Sequence, residues 1–237
     1  MSATSFGHVR LICFDLDDTL WPCRPVIDAA EAESYRWLGQ RAPGLVARFS
    51  LDELRAHRLA LADESPEIAH DLTAVRLRSL AVLLNETGYA ADLADQSTAV
   101  FRRARNRVTP YHDVLEALAA LRPHYTLVSV TNGNSQIEHT PLHDSFDISL
   151  TAAEVGAAKP HPEIFHAASR RSGIPLQRFL HVGDDPVRDV QAARALGLAT
   201  VWVNRDAQRW PRPLPPADLE VGDLATLVSH LLGEAPS

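Results

Sequence analysis

The sequence predicts an α/β protein built on a parallel β-sheet, and three observations support this fold class. Apolar runs typical of buried strands, such as residues 9–13 and 125–130, end in short polar loops. From Tyr111 onward such runs alternate with helical patterns. Between residues 21 and 108 the patterns are helical, with few strand signals. This alternation favours right-handed βαβ units in a parallel sheet, interrupted by an all-helical insert.

Composition restricts the class of protein. The chain has 237 residues, of which 46% are apolar and 22% charged, as in ordinary soluble globular proteins. A net charge of −7 gives no support to nucleic-acid binding, and no apolar run is long enough to span a membrane. The two cysteines, Cys13 and Cys23, exclude a disulfide framework, and residues 1–8 lack a signal-peptide pattern. We therefore expect a cytoplasmic protein.

Capping and spacing signals predict the helices of the insert, residues 21–108. Ser50 and Glu53 form a capping box, and Ser65-Pro66 is interpreted as another helix start. A further helix is expected over residues 91–106. The helix after Ser65 would place one apolar stripe on its buried face, formed by Ile68, Leu72, Val75, Leu80 and Leu83.

The remaining segments, residues 1–20 and 109–237, are expected to form the sheet-containing domain. Asp185 can cap a helix that has Pro186 at its first position and Gly197 after its last turn. The final helix is expected over residues 223–232. Strands are predicted at residues 9–13, 125–130, 146–150, 179–182 and 199–203, and further helices at 113–121 and 162–173.

Polar residues that follow the predicted strands have complementary chemistry. In an open parallel sheet, ligands bind outside the carboxyl ends of the strands, so we expect these loops to converge on one crevice. One carboxylate there can attack a substrate while another moves protons, and a lysine can hold a phosphoryl group. Grouped carboxylates are suitable ligands for Mg²⁺. The candidate residues are Asp15, Asp17, Thr131, Asn132, Lys159, Asp184, Asp185 and Asp189.

These segments resemble the motifs of the haloacid dehalogenase superfamily. The matching runs are residues 15–19, 131–133 and 159–160, and 183–185 with Asp189. The resemblance implies a Rossmann-like core with a helical type 1 cap, the insert being the cap. It implies that Asp15 is the nucleophile and forms an aspartyl phosphate, while Asp17 protonates the leaving alkoxide and then activates water.

The same resemblance assigns the remaining motif residues. Thr131 and Lys159 would bind the transferring phosphoryl group, with Asn132 beside them. Mg²⁺ would be held by Asp15, the backbone carbonyl of Asp17, and Asp184. Asp185 and Asp189 are each open between a metal ligand and a supporting role, and Asp185 also fits a simple helix cap.

A closer resemblance concerns the substrate. Residues 24–27, 64–73, 131–134 and 181–185 are similar to a bacterial branch of phosphatases acting on 5-amino-6-(5-phosphoribitylamino)uracil and FMN. The expected partner is thus a small phosphorylated metabolite; the oligomeric state is not predicted. A phosphatase of nucleotides or sugar phosphates, a phosphomutase and a non-catalytic scaffold remain alternatives. Asp17 argues against a dehalogenase, whose reaction needs no protonation of an alkoxide.

Other residues have both functional and structural interpretations. Trp21, directly after the catalytic loop, is a weak candidate for stacking on a substrate ring, although core packing is also compatible with it. Cys13 lies within a predicted core strand and is interpreted as a buried thiol. His139 and His143 have a helical ligand spacing, but Pro141 between them argues against a zinc pair.

Overall fold

The computed structural model describes residues 6–233 and contains a six-stranded sheet in which all pairings are parallel. The strand order is β3-β2-β1-β4-β5-β6, which confirms the predicted fold class. The strands are β1 (Leu11–Phe14), β2 (Thr126–Thr131), β3 (Ile148–Thr151), β4 (Phe179–Gly183), β5 (Ala199–Val203) and β6 (Leu219–Val221).

The central strand β1 determines where a ligand site can form. All four of its residues are buried, as expected for a continuous apolar run covered on both faces. β1 pairs with β2 on one side and with β4 on the other, so the strand order reverses between β1 and β4. Doubly wound sheets bind ligands at this reversal, outside the carboxyl ends of the strands.

The helices surround the sheet or belong to the insert. A π-helical turn, Pro186–Gln191, leads directly into α9. Within residues 6–233, no helix combines the length and apolar composition needed to cross a membrane. The helices are α1 (Cys23–Arg41), α2 (Pro43–Arg48), α3 (Leu51–Glu64), α4 (Leu72–Glu86), α5 (Leu93–Arg105), α6 (Val114–Leu121), α7 (Ala152–Val155), α8 (Glu163–Ser172), α9 (Ala192–Arg194) and α10 (Leu224–Leu232).

The chain divides into two compact units, each described by itself. The sheet unit comprises Met1–Pro22, Thr109–Asn132 and Pro141–Ser237. The helical unit comprises Cys23–Val108 and Gly133–Thr140. The short segment from Gly133 belongs with the helices although it follows β2, a division that no local sequence signal indicates.

Each unit has its own apolar core. In the sheet unit, Val128, Phe165 and Phe179 belong to a buried cluster between β-strands and helices. In the helical unit, Leu38 and Leu83 belong to a separate buried cluster. Burying apolar surface is the main favourable term in folding, so both units contain the kind of interior that a stable domain needs.

Capping interactions agree with the predicted start of α3 but not with that of α4. The Ser50 hydroxyl accepts from the Glu53 backbone N–H, and Glu53 accepts from the Ser50 N–H, forming the expected capping box. The helix start at Ser65-Pro66 is wrong. Ser65 is the C-cap of α3, and α4 begins after Asp71, whose carboxylate accepts from two backbone N–H groups of its first turn.

Three short elements were not predicted from the sequence. α2 has six residues, α7 has four and β6 has three, too few for a periodic pattern to be recognised. The predicted apolar stripe of α4 also differs in part. Val75, Leu80 and Leu83 are buried, whereas Ile68 precedes the helix and Leu72 is 47% exposed.

Candidate active site

Asp15 lies directly after β1, at the point where the strand order reverses. Its backbone N–H donates to the Val182 carbonyl of β4 over 2.9 Å, which continues the strand pairing by one residue. The residue is 8% exposed, so its carboxylate is nearly enclosed. A carboxylate held this firmly at a strand end has a fixed direction of attack.

Asp17 is held by the turn that follows Asp15. The Trp21 indole N–H donates to Asp17 Oδ1 over 2.8 Å, and the Asp18 backbone N–H donates to the Trp21 carbonyl. Trp21 has no exposed surface. Its ring is enclosed in the protein, as in the core-packing interpretation of Trp21, and its polar edge contacts Asp17.

Lys159 is the charged centre of the site. Its Nζ donates to Asp15 Oδ1 over 2.6 Å, to Asp189 Oδ1 over 2.7 Å and to the Val130 carbonyl over 3.0 Å. An ammonium has three N–H donors, so all three are used. Burial opposes charging of Lys159, but the two carboxylates more than offset it and hold its pKa above the usual range. Lys159 is thus a fixed positive charge beside Asp15.

Asn132 fixes the backbone that carries Lys159. Its amide N–H donates to the Lys159 carbonyl over 2.8 Å, and its carbonyl oxygen accepts from the Lys159 N–H over 2.7 Å. The Asn132 side chain, expected from the sequence to contact phosphate, therefore forms a reciprocal pair with the backbone of Lys159. Thr131, the last residue of β2, is 2% exposed.

Asp189 is the second carboxylate that holds Lys159. In addition to the lysine, Asp189 Oδ1 contacts His181 Nε2 at 2.9 Å, while Oδ2 accepts from the Asp185 N–H over 3.0 Å. A Cβ on Gly183 would lie 2.3 Å from Asp189 Cγ, so only glycine permits this approach. Both oxygens of Asp189 are thus engaged by protein donors.

Asp185 and His181 have supporting positions. Asp185 Oδ1 accepts from the Val187 and Arg188 N–H groups over 2.8 Å each, which makes Asp185 the cap of the π-helical turn. His181 is buried, and its other ring nitrogen lies 3.1 Å from the Cys13 carbonyl. His181 was not singled out from the sequence as a site residue; its position in β4 immediately before Val182-Gly183-Asp184 is the only signal there.

Asp184 completes the acidic side of the site. The buried Thr19 hydroxyl donates to Asp184 Oδ1 over 2.9 Å, and the Trp202 indole N–H donates to its backbone carbonyl over 2.7 Å. A cavity of about 360 Å³, lined by Asp184 and Trp202 among others, lies beside it. Both the side chain and the backbone of Asp184 are therefore fixed at the carboxyl end of β4.

Asp15, Asp184 and Asp189 form the aspartate cluster, in which one ligand oxygen from each lies within 4.8 Å of the others. Burial raises the pKa of Asp184 to about 7, and the charge of Asp189 adds to this effect. Burial also raises the pKa of Asp15 well above its usual range, although Lys159 opposes the shift. Raised pKa values show that the ionised carboxylates lack sufficient positive charge nearby. Clustered carboxylate oxygens in this state are suitable ligands for a divalent cation. Asp15 and Asp184 are its best-placed ligands, because Asp189 is already engaged.

The fold and the site together define an α/β enzyme whose reactive carboxylates lie at the strand-order reversal. A family model described as haloacid dehalogenase-like hydrolase matches residues 9–197. The chain therefore belongs to the haloacid dehalogenase-like hydrolase family. This confirms the superfamily resemblance and the prediction that the protein is an enzyme.

Relatives over nearly the whole chain include two phosphatases. The Escherichia coli 5-amino-6-(5-phospho-D-ribitylamino)uracil phosphatase YigB is 33% identical over 231 residues, 94% of this chain and 96% of its own. A Thermus thermophilus phosphoserine phosphatase is 32% identical over 248 residues, 91% of this chain and 96% of its own. A crystal structure of a Pseudomonas syringae 2-haloacid dehalogenase is 35% identical with a TM-score of 0.88, covering 95% and 99% of the two chains.

Proposed function

We propose that the protein is a Mg²⁺-dependent phosphomonoesterase that forms an aspartyl phosphate on Asp15. The observation that carries this proposal is the contact of Lys159 Nζ with Asp15 Oδ1 beside the aspartate cluster. Together these groups supply a carboxylate nucleophile, a fixed cation and a set of metal ligands at one edge of the sheet. Phosphatase relatives that cover more than nine-tenths of the chain support the same reaction class.

The reaction divides into two displacements on phosphorus. In the first, a carboxylate oxygen of Asp15 forms a bond to phosphorus as the bond to the substrate oxygen breaks. Protonated Asp17 gives its proton to the leaving alkoxide. In the second, Asp17 takes a proton from water, the water oxygen attacks phosphorus, and the bond to Asp15 breaks, which releases inorganic phosphate and restores both aspartates.

The surrounding groups position these two carboxylates and balance their charge. Lys159 offsets the negative charge that accumulates between Asp15 and the incoming phosphoryl group. Trp21 holds one oxygen of Asp17. A bound Mg²⁺, held by Asp15, Asp184 and the backbone carbonyl of Asp17, would supply Lewis-acid stabilisation of the phosphoryl oxygens.

The proposed substrates are 5-amino-6-(5-phosphoribitylamino)uracil and FMN. Support comes from the YigB phosphatase, whose similarity extends over 94% of this chain and includes the helical insert. The insert is the informative part, because the strand-end motifs serve many substrates. Nucleotides, sugar phosphates and phosphoserine are the competing phosphate monoesters.

A dehalogenase activity is the second candidate, favoured by the similarity to the Pseudomonas syringae enzyme. Displacement of a halide leaves no alkoxide to protonate, so that reaction does not need Asp17. The bond from Trp21 to Asp17 maintains the orientation of a carboxylate that only the phosphatase reaction uses. We therefore expect no halide release from 2-chloropropionate.

The test is phosphate release with Mg²⁺ across FMN, the ribitylaminouracil phosphate, nucleotides, sugar phosphates and phosphoserine. We expect the two ribityl phosphates to have the highest kcat/KM. Asp15→Asn should reduce turnover to the background rate, whereas the exposed Asp95→Asn, outside the site, should leave it unchanged. Full activity of Asp15→Asn would refute the nucleophile, and sugar phosphates ranking first would refute the substrate.

A further inference from the structure

A second cavity, of about 500 Å³, lies within the helical unit. Every residue that lines it belongs to that unit, with contributions from α1, α3, α4 and α5. Its volume is in the range of pockets that hold small organic ligands. The aspartates of the proposed reaction do not line it.

The floor of this cavity is built around a buried carboxylate. Glu31, 3% exposed, accepts hydrogen bonds from Arg55, Arg58 and Arg76. The Arg76 guanidinium also lies over the Phe101 ring, with its central carbon 3.5 Å from the ring centroid. One carboxylate thus faces three guanidinium groups.

The arginines have donor capacity that the protein does not use. Within residues 6–233, the structure records one hydrogen bond from Arg58 and one from Arg76, and both reach the same oxygen of Glu31. A guanidinium has five N–H donors, so several remain on each side chain. Burial lowers the pKa of Arg76 to about 10, and both side chains stay charged at neutral pH. The guanidinium groups of Arg58 and Arg76 can therefore donate hydrogen bonds to an acceptor atom of a ligand in the cavity.

Two exposed leucines in the lining of the cavity have the opposite character. Leu59 and Leu72 line the cavity and are 70% and 47% exposed. Burying such large apolar side chains would be favourable, because it removes apolar surface from water. Leu72 belongs to the apolar stripe that the sequence predicts to be core. A ligand that covers these leucines would remove apolar surface from water.

We infer that this cavity binds the ring of a planar heterocycle bearing carbonyl oxygens, such as a pyrimidinedione or a flavin. The ring carbonyls would accept from Arg58 and Arg76, and the ring faces would cover Leu59 and Leu72. A small inorganic anion would leave the leucines exposed, whereas a hydrocarbon would leave the guanidinium donors without acceptors. This inference rests on the proposed function, because both proposed substrates carry such a ring.

Riboflavin tests the inference, because it carries the ring but no phosphoryl group and cannot be hydrolysed. Saturable quenching of riboflavin fluorescence by the wild-type protein is expected. Arg58→Met and Arg76→Met should each raise the Kd at least about tenfold, since each removes hydrogen bonds from a charged donor. Leu59→Ser should raise it about threefold through lost apolar contact.

The controls separate binding from folding. Arg48→Met is the matched control for Arg76→Met, because Arg48 also lies over an aromatic ring, that of Phe49, but does not line the cavity. The Kd of Arg48→Met for riboflavin should equal that of the wild type. Leu59 is exposed, so Leu59→Ser should keep the wild-type Tm and remains informative even if Arg76→Met unfolds. Two results would overturn the inference. One is the absence of saturable binding by the wild type, and the other is a wild-type Kd in both Arg58→Met and Leu59→Ser. Binding of malonate but not riboflavin, lost in Arg58→Met, would identify an anion site and also overturn it.

Rejection of the proposed substrate and rejection of the ring site give different experimental results. Riboflavin binding that depends on Arg58, without hydrolysis of FMN, would keep the ring site and reject the substrate. Hydrolysis of FMN with equal kcat/KM in the wild type, Arg58→Met and Leu59→Ser would keep the substrate and reject the ring site. In both cases p-nitrophenyl phosphate, which lacks such a ring, reports whether the phosphatase chemistry is intact.

Discussion

Trp21 illustrates, at the scale of single residues, how a buried side chain orients a reactive group. Its indole N–H contacts Asp17 Oδ1, while its own ring has no exposed surface. A carboxylate held by a hydrogen bond has fewer orientations, so the direction from which it meets the leaving group is fixed. We therefore assign Trp21 a positioning role for Asp17.

Trp21→Phe should slow the reaction according to the leaving group. For FMN, whose leaving alkoxide needs a proton, kcat/KM should fall about tenfold, part of the usual contribution of a general acid. For p-nitrophenyl phosphate, whose leaving phenolate is already stable, kcat/KM should change little. The value of kcat/KM depends only on the steps up to transfer of the phosphoryl group to Asp15. Hydrolysis of the intermediate, which is the same for both substrates, therefore does not mask the effect.

Trp210→Phe is the matched control for the loss of an indole hydrogen bond. Trp210 donates to the Leu214 carbonyl, and its ring meets Trp202 edge-on. Both kcat/KM values should stay at the wild-type level in this variant. An equal decrease for both substrates in Trp21→Phe would indicate general damage to the site and contradict the positioning role.

Residue types and their positions in the sequence could be predicted, but their partners could not. Strand-end motifs identify Asp15 and Lys159, yet nothing local indicates that Asn132 pairs with the Lys159 backbone 27 residues away. The role of His181 cannot be predicted for the same reason, since its contact with Asp189 depends on how β4 and the following turn pack. Hydrogen-bond partners are set by tertiary neighbours, which one sequence does not specify.

Asp113 connects several elements of the sheet unit. It precedes α6, and its carboxylate receives two hydrogen bonds of 3.1 Å from Arg205 and one of 2.6 Å from the Leu224 N–H at the start of α10. Arg205 also donates to the Thr19 carbonyl over 3.1 Å. The ion pair of Asp113 and Arg205 thus joins two helix starts to the loop that carries Asp17.

Asp113→Asn should lower the free energy of unfolding at pH 7 by about 2 kcal/mol, because it leaves the largely buried Arg205 side chain, 12% exposed, without its counter-charge. Burial acts to raise the pKa of Asp113, but bonds from Arg205 and Leu224 outweigh it and lower the pKa. The carboxylate therefore stabilises the fold above its unfolded pKa of about 3.9, and this contribution is lost as pH falls through the lower folded value.

Urea unfolding at pH 7 and near pH 3 measures both effects. The difference between the wild type and Asp113→Asn should shrink at the acidic pH. Asp144→Asn is the control, since the Asp144 side chain is 89% exposed, and it should match the wild type at both pH values. A difference that stayed constant with pH would argue against an ionised Asp113 as the source of the stability.

Element boundaries could be predicted where a capping group acts locally. Ser50 and Glu53 identify the start of α3, and Gly173, with a φ of 72°, ends α8 at the last residue of the predicted range 162–173. The start of α4 was misassigned because Ser65-Pro66 and Asp71 are both valid local signals. The choice between them depends on α3, which extends to Glu64 and uses Ser65 as its C-cap.

The aspartate cluster affects the stability of the whole molecule through the cation that it is expected to bind. A ligand that binds only the folded state stabilises it by an amount set by its concentration relative to Kd. We expect the Tm in Mg²⁺ to exceed that in EDTA, and at 100 times Kd the gain in the free energy of unfolding should be about 2.7 kcal/mol.

Asp184→Asn should remove most of this gain, because Asp184 is one of the two best-placed ligands. Thermal unfolding in a Mg²⁺ series, followed for both proteins, measures it, and the exposed Asp95→Asn should keep the full shift. An equal Mg²⁺ shift in Asp184→Asn would place the stabilising ion outside the aspartate cluster.

At the scale of the whole molecule, the sequence predicts the parallel sheet but not the cavity of the helical unit. Alternating strands and helices indicated a parallel sheet, because parallel strands need crossover helices, and the structure contains this sheet. The helical unit's cavity could not be predicted. Its floor brings together Glu31, Arg58 and Arg76 from three helices, and helical periodicity does not determine how such faces combine.

Lys159 is the only lysine in the sequence, and it is 3% exposed. Its three N–H groups are engaged and its pKa is raised, so its nitrogen lacks a free lone pair for reagents that acylate amines. Acylation of a lysine in this chain therefore requires the site to open. A mass-spectrometric count of acylated lysine after a short pulse would then report the population of open molecules, with a single site to monitor and no background from surface lysines.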